Sequence, residues 1–217
     1  FNGYLADEDY FSVSNNVSSS ENTNSNSLTL SGDTLIFGSQ SLIIPGISSI
    51  PAQVGQYRDG GIVFYVDGTG QHGLICDIAD LGAYNWGGSL CYNAGQITDL
   101  SDGLGGGLQN TLDIVNHSCS EEGEYAAEAC YNLVKNGYDD WYLPNAEELA
   151  LMFQYKDAIN ETAINYGGNE FIEDYYWSSR EQPQNDWGFA SRISFSNGNQ
   201  DAFNRTWSFY VRAIRQF

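Results

Sequence analysis

The sequence predicts an α+β fold, with one large domain over residues 51–217 behind a short N-terminal β segment within residues 1–50. Three observations predict it. Apolar residues recur at helical spacing through the middle of the chain, and strand-like alternation takes over after residue 170. An almost wholly polar run, SVSNNVSSSENTNSNS at 12–27, can bury too little apolar surface to fold alone. With 41% hydrophobic and 14% aromatic residues, the rest of the chain has ample material for a packed core. The 24 Gly against 4 Pro suit tight turns and short strands.

Taken in order, the first element is a small β-meander at 27–47. Leu28 and Leu30 alternate with polar residues, Gly32-Asp33 turns, Leu35 and Phe37 resume, and Leu42-Ile43-Ile44 ends at Pro45. Three such strands are marginal alone and need a partner surface, which makes a stalk or a homotrimer contact the expected role. The main domain opens with the hairpin GGIVFYVDGTGQHGLICDIA, turning at Asp67-Gly68. Residues 82–107 read as a glycine-rich irregular excursion.

Three helices are expected next. Leu108, Leu112 and Val115 mark the first, over 108–116. The second runs over 124–136, with Ala126, Ala127, Cys130, Leu133 and Val134 on one face and Gly137 as its C-terminal stop. Asn145 as N-cap and Glu148 at the capping-box position start the third, which carries Leu149, Met152 and Ile159 along one side. The strands 175–179, 189–196 and 206–216 complete the pattern, with Gln- and Asn-rich loops at 181–186 and 197–205.

Charge narrows the function. Twenty-eight acidic residues face 8 basic ones, a formal charge of −20. Nucleic acid and anionic membrane surfaces are disfavoured partners, because both are held through Lys and Arg. Adaptation to salty surroundings and a calcium-rich surface protein are the two readings of this acidity. No stretch approaches the length of a membrane-spanning helix, and the start at Phe1 shows no leader pattern, as a mature or excised fragment would.

The four cysteines form no C-x-x-C pair, so zinc and thioredoxin-type chemistry are weakly supported. Their number and local spacing favour two bonds, Cys76–Cys91 and Cys119–Cys130, in an oxidising compartment. Other pairings, or four buried free thiols, remain open.

The ordered landmarks GGIVFYVD, Trp86, NGYDDWYLPNAEEL (136–149), YYWSS (175–179), ISFSNG (193–198) and YVRAIRQF (210–217) resemble a known family. It is the bacterial and phage C-type-lectin-like family of the formylglycine-generating-enzyme-like subclass, which includes variable proteins of diversity-generating retroelements. The resemblance runs from about residue 55 to residue 217. It implies a C-type-lectin-like domain at a cell or virion surface, in an adhesin or a phage tail-fibre tip. The landmarks themselves read as structural: Trp141, Leu143 and Pro144 launch a helix, Trp177 fills the core, and Arg212 and Arg215 pair with carboxylates such as Asp139 or Asp140.

The resemblance places ligand binding in the gaps between landmarks. These hold Gln182, Gln184, Asn185, Asp186, Ser191, Arg192, Ser194, Asp201, Phe203, Asn204, Arg205, Trp207 and Phe209. Rigid rings among small polar residues are the composition of a paratope. The expected ligand is a cell-surface protein or glycan. Side-chain alternation leaves either Trp207, Phe209 and Val211 or Ser208, Tyr210 and Arg212 facing outward, and Trp187 is either an anchor or core.

Three other readings compete with this one. The resemblance to formylglycine-generating enzymes would imply a reactive cysteine pair near the C-terminus, but no Cys follows residue 130, and a Cys or Ser nucleophile would find only His72 and His117 as a base. A binding domain without catalysis or an organic cofactor is therefore expected. A structural calcium could use Asp99 and Asp102, although the EF-hand spacing is unmet and Gln182-Pro183-Gln184 lacks a carboxylate third ligand. A passive cap on a fibre is the remaining alternative.

Overall fold

The computed structural model describes residues 51–87, 97, 100–117, 124–182 and 188–217, together with the backbone of three strands near the N-terminus. Those strands are β1 (Leu28–Ser31), β2 (Thr34–Phe37) and β3 (Gln40–Ile43), paired antiparallel in the order β1-β2-β3. The expected meander is present, with Leu30 opposite Leu35 and Leu35 opposite Leu42. It lies in a unit of residues Phe1–Ser48, separate from the unit Ser49–Phe217.

The larger unit mixes helices and sheets. Its chain order is β4 (Tyr57–Arg58), β5 (Gly61–Val66), β6 (Gly73–Cys76), β7 (Gly82–Asn85), α1 (Gly106–Asn116), α2 (Ala126–Tyr131), α3 (Ala146–Gln154), α4 (Lys156–Asn165), β8 (Tyr175–Gln182), β9 (Phe189–Ser194), β10 (Gln200–Asn204), β11 (Ser208–Val211) and β12 (Ile214–Gln216). One sheet has the order β12-β6-β5-β4 and the other β10-β9-β8-β11-β7. The β11–β8 contact, through Tyr210 and Tyr176, is parallel, and the other pairings are antiparallel.

The predicted hairpin forms as β5 and β6. The Asp67 carboxylate fixes its turn, accepting from Thr69 N–H at 3.0 Å, Thr69 hydroxyl at 2.6 Å and Gly70 N–H at 3.0 Å. Ile62, Phe64, Leu74 and Cys76 enter one core with Leu149, Met152, Ile159 and Tyr176. Val63 and Ile75, on the other face, bury a smaller cluster with Ala52. A second large core gathers Trp86, Trp141 and Trp177 with residues of α1 and α2. Trp177 is fully buried, and its indole N–H donates to Tyr84 O at 2.9 Å.

The third predicted helix starts as expected and then breaks. Asn145 Oδ1 accepts from Glu148 N–H at 2.9 Å, and Glu148 Oε2 accepts from Asn145 N–H at 2.8 Å, a complete capping box. Tyr155, at φ −106° and ψ 17°, leaves helical geometry and divides α3 from α4. The second helix is shorter than its pattern suggested. Asn136 (φ 55°) and Gly137 (φ 84°) close a tight turn between Lys135 and Tyr138, so Gly137 stops no helix. Val134, expected on the apolar face, is 73% exposed.

The last predicted strand is two strands in different sheets. At the break, Asp77 N–H donates to Ala213 O at 2.9 Å, and Arg212 Nε donates to Asp80 Oδ1 at 2.7 Å. Arg215 meets Asp140 through two bonds, at 2.5 and 2.9 Å. Strands β7 and β10 form where the sequence pattern predicts loop. They are the two outer strands of their sheet, where one edge needs no apolar partner and polar residues such as Gln200 and Asp201 are at home.

One correction concerns the cysteines. Cys76 and Cys130 are free thiols, both fully buried, so neither carries its expected disulfide. They pack as small apolar residues, and burial raises both thiol pKa values, Cys76 to about 12. Cys91 and Cys119 lie outside the described residues. Of the two residues suggested for calcium, Asp102 is paired with Arg180 at 3.0 Å and Asp99 lies outside the described residues. Among the described residues no group of three His, Cys, Asp or Glu is placed to hold a metal.

Candidate functional site

The C-terminal sheet presents a ladder of rings. β9 and β10 pair with Asp201 opposite Arg192 and Phe203 opposite Ala190, and β8 places Trp177 opposite Arg192. Pairing and alternation therefore bring Tyr175, Trp177, Arg192, Asp201 and Phe203 to one face. Phe209 of β11 joins them, 5.7 Å from the Tyr175 ring and 4.8 Å from the Trp177 ring. Phe203 lies 5.6 Å from Phe209 at 80° and 5.4 Å from Trp207 at 88°, edge-to-face in both cases.

Arg192 sits inside this ladder. Its guanidinium lies 3.6 Å from the Tyr175 ring centre, 4.0 Å from Phe203 and 4.4 Å from Phe209. Asp201 clamps it, accepting Nε at 2.7 Å and Nη2 at 3.2 Å. The residue is only 6% exposed. Arg192 therefore stiffens the face from within, and the expectation of a free contact residue is corrected.

Trp207 is the ladder's exposed end, at 59%. A short turn carries it: Asn204 Oδ1 accepts from Thr206 N–H at 2.9 Å and Thr206 hydroxyl at 2.8 Å, and Trp207 N–H donates to Asn204 O at 3.1 Å. A rigid ring on a tethered turn loses little freedom when it meets a ligand. Of the two outward sets the sequence allowed, neither holds strictly. Trp207 and Ser208 are exposed, Phe209 and Tyr210 half-buried, and Val211 buried.

The other expected contact residues divide by burial. Arg205 is buried and donates to Glu181 Oε1 at 2.7 Å, while Ile97 N–H donates to Glu181 Oε2 at 2.7 Å. Burial pushes Glu181 above the usual carboxylate range against the opposing pull of Arg205, and it lowers Arg205. Ser191 is buried, accepting from Gln200 Nε2 at 3.1 Å, and the buried Ser194 bonds Ser196 at 2.8 Å. Arg205, Ser191 and Ser194 are thus internal, which corrects their assignment to an open surface. Gln184, Asn185 and Asp186 lie outside the described residues, as does Trp187.

Gln182 opens on a different feature. It lines a polar cleft of about 280 Å³ with Asp102, Glu147, Ala150, Arg180 and Gln200. Sequence reasoning missed Glu147, Arg180 and Gln200 as neighbours, because no local spacing brings residues of α3, β8 and β10 together. His72, on the β5–β6 turn, lines a second hollow of about 330 Å³ with Tyr65, Asp67 and Gln216.

The model of the Lcl C-terminal domain matches residues 95–215, more than half of the chain. The chain belongs to the Lcl C-terminal domain family. This is a C-type-lectin-like family of phage and bacteria, and the membership agrees with the resemblance read from the landmarks. The Lcl C-terminal domain match takes in α1 to α4 and the five C-terminal strands up to Arg215, and so the whole ring ladder. A search of curated proteins returned no match.

Proposed function

We propose that residues 51–217 form a ligand-binding domain of an extracellular adhesin or phage tail-fibre tip, and that it binds without catalysis. The observation that carries this reading is Trp207: a large ring, 59% exposed, at the end of a ladder stiffened by a buried guanidinium. Exposed aromatic anchors on rigid supports are typical binding hot spots. Membership of a C-type-lectin-like family supports the same reading. The contact surface is then Trp207 with Ser208 and Thr206, flanked by the half-buried Phe203 and Phe209, and the ligand is a cell-surface protein or glycan. In this reading the N-terminal meander serves as a stalk or trimer contact.

The test is binding to bacterial cells and glycan arrays by the whole chain and by Trp207→Ala. The expected result is at least a tenfold loss of binding for the variant with an unchanged melting temperature. Equal binding by both proteins would move the site off this face.

A further inference from the structure

We propose that the cleft between α3, β8 and β10 receives a basic side chain, lysine or arginine, from a partner protein. The first support is a property of the whole surface. All eight basic residues lie among the described residues, and seven of them are held in ion pairs: Arg58 with Asp59, Lys135 with Asp77, Arg180 with Asp102, Arg192 with Asp201, Arg205 with Glu181, Arg212 with Asp80, and Arg215 with Asp140. The eighth, Lys156, donates to Phe195 O at 2.9 Å. Most of the positive charge is therefore already neutralised by the protein's own carboxylates, while a net charge of −20 draws positive groups in.

The second support is local. Within the cleft, the Arg180 and Asp102 charges cancel at 3.0 Å, and Arg180 Nη1 also donates to Leu100 O at 2.8 Å. Glu147 is exposed, and its carboxylate makes no hydrogen bond or ion pair among the described residues. Gln200 spends its Nε2 on Ser191 at 3.1 Å, which leaves its amide oxygen for a donor. Gln182 adds a further amide, and Ala150 gives a small apolar wall for a methylene stem. The α3 N-terminus contributes about half a positive charge, but Glu147 and Glu148 in its first turn outweigh it. One uncompensated carboxylate beside amide oxygens suits an ammonium or guanidinium. It falls short of the charge a divalent cation requires.

This cleft is distinct from the ring ladder. Gln200 and Asp201 are adjacent on β10 and point to opposite faces. The proposal therefore stands or falls apart from the reading of Trp207.

The test is an NMR titration of isotope-labelled whole chain with a terminally blocked tri-lysine peptide. Blocked tri-glutamate, a neutral oligosaccharide and calcium chloride serve as parallel arms, at low and at raised salt. Saturable shifts at Glu147, Gln182 and Gln200 with tri-lysine alone are expected, weakened at least fivefold by Glu147→Gln and by salt. Trp207→Ala should leave them unchanged. Shifts scattered over the acidic surface, equal binding by Glu147→Gln, or the same saturable shifts with calcium or the oligosaccharide would overturn the proposal.

Discussion

Arg192 and Asp201 face each other across the β9–β10 pair, joined by bonds of 2.7 and 3.2 Å, with the guanidinium stacked among Tyr175, Phe203 and Phe209. Arg192→Ala removes the ion pair and the contact shared by three rings, leaving a gap under the ladder. It should cost about 2–4 kcal/mol in urea unfolding, at the lower side of a buried pair because Asp201 is half exposed. Arg192→Lys should restore little, since an ammonium cannot reproduce the planar stack or the two-point clamp. A variant with wild-type stability would show that the ladder does not depend on this cation.

Trp207 should behave in the opposite way. It is 59% exposed, and among the described residues its ring contact is with Phe203. Trp207→Ala is expected to change unfolding free energy by no more than about 0.5 kcal/mol, as for other surface substitutions. Urea unfolding monitored by far-UV circular dichroism checks this without the tryptophan signal. A loss above about 2 kcal/mol would mean that the ring supports the fold.

The contrast marks what was legible in the sequence. Local signals read well: the Asp67 turn, the Asn145–Glu148 capping box and the buried Trp177 all follow from short patterns. Edge strands β7 and β10 did not, because a strand with one open edge and a wet face can be as polar as a loop. Arg192 and Arg205 read as contact residues because they fall in the gaps between the landmarks, where the resemblance places binding. Their partners, Asp201 and Glu181, were visible as residues, but only the sheet register brings them into reach. That Arg212 and Arg215 pair with carboxylates was readable because so few cations compete; of the partners named, Asp140 holds Arg215, while Arg212 turns to Asp80. The polar cleft was not, since its walls come from three distant elements.

The buried thiols give a chemical test. Cys76 and Cys130 are fully buried, with thiol pKa values raised by that burial. Reactivity requires the thiolate and access to it, and both are suppressed here. Native protein treated with iodoacetamide at pH 8 and mapped by peptide mass should show neither residue alkylated, and both should be modified after unfolding in denaturant. A peptide linking Cys130 to Cys119, or Cys76 to Cys91, would restore the pairing that the sequence suggested.

Glu148 joins two helix starts, and its titration should be measurable. Its carboxylate accepts from Asn145 N–H at 2.8 Å and from Gly105 N–H at 2.7 Å, just ahead of α1. Burial raises its pKa to about 6 even though these backbone donors favour the charged form. With the folded value above the unfolded one, the stabilisation from Glu148 titration is complete below about pH 4.5 and is lost as pH rises through about 6. Glu148→Gln cannot titrate and turns an amide N–H toward a backbone donor, so it should be less stable throughout. The informative quantity is the difference between the two proteins. Wild type should gain on the variant by about 2 kcal/mol between pH 7.5 and pH 4.5, read from paired urea unfolding curves. A gap that stays constant over that range would show that the backbone donors, and not burial, set the protonation of this carboxylate.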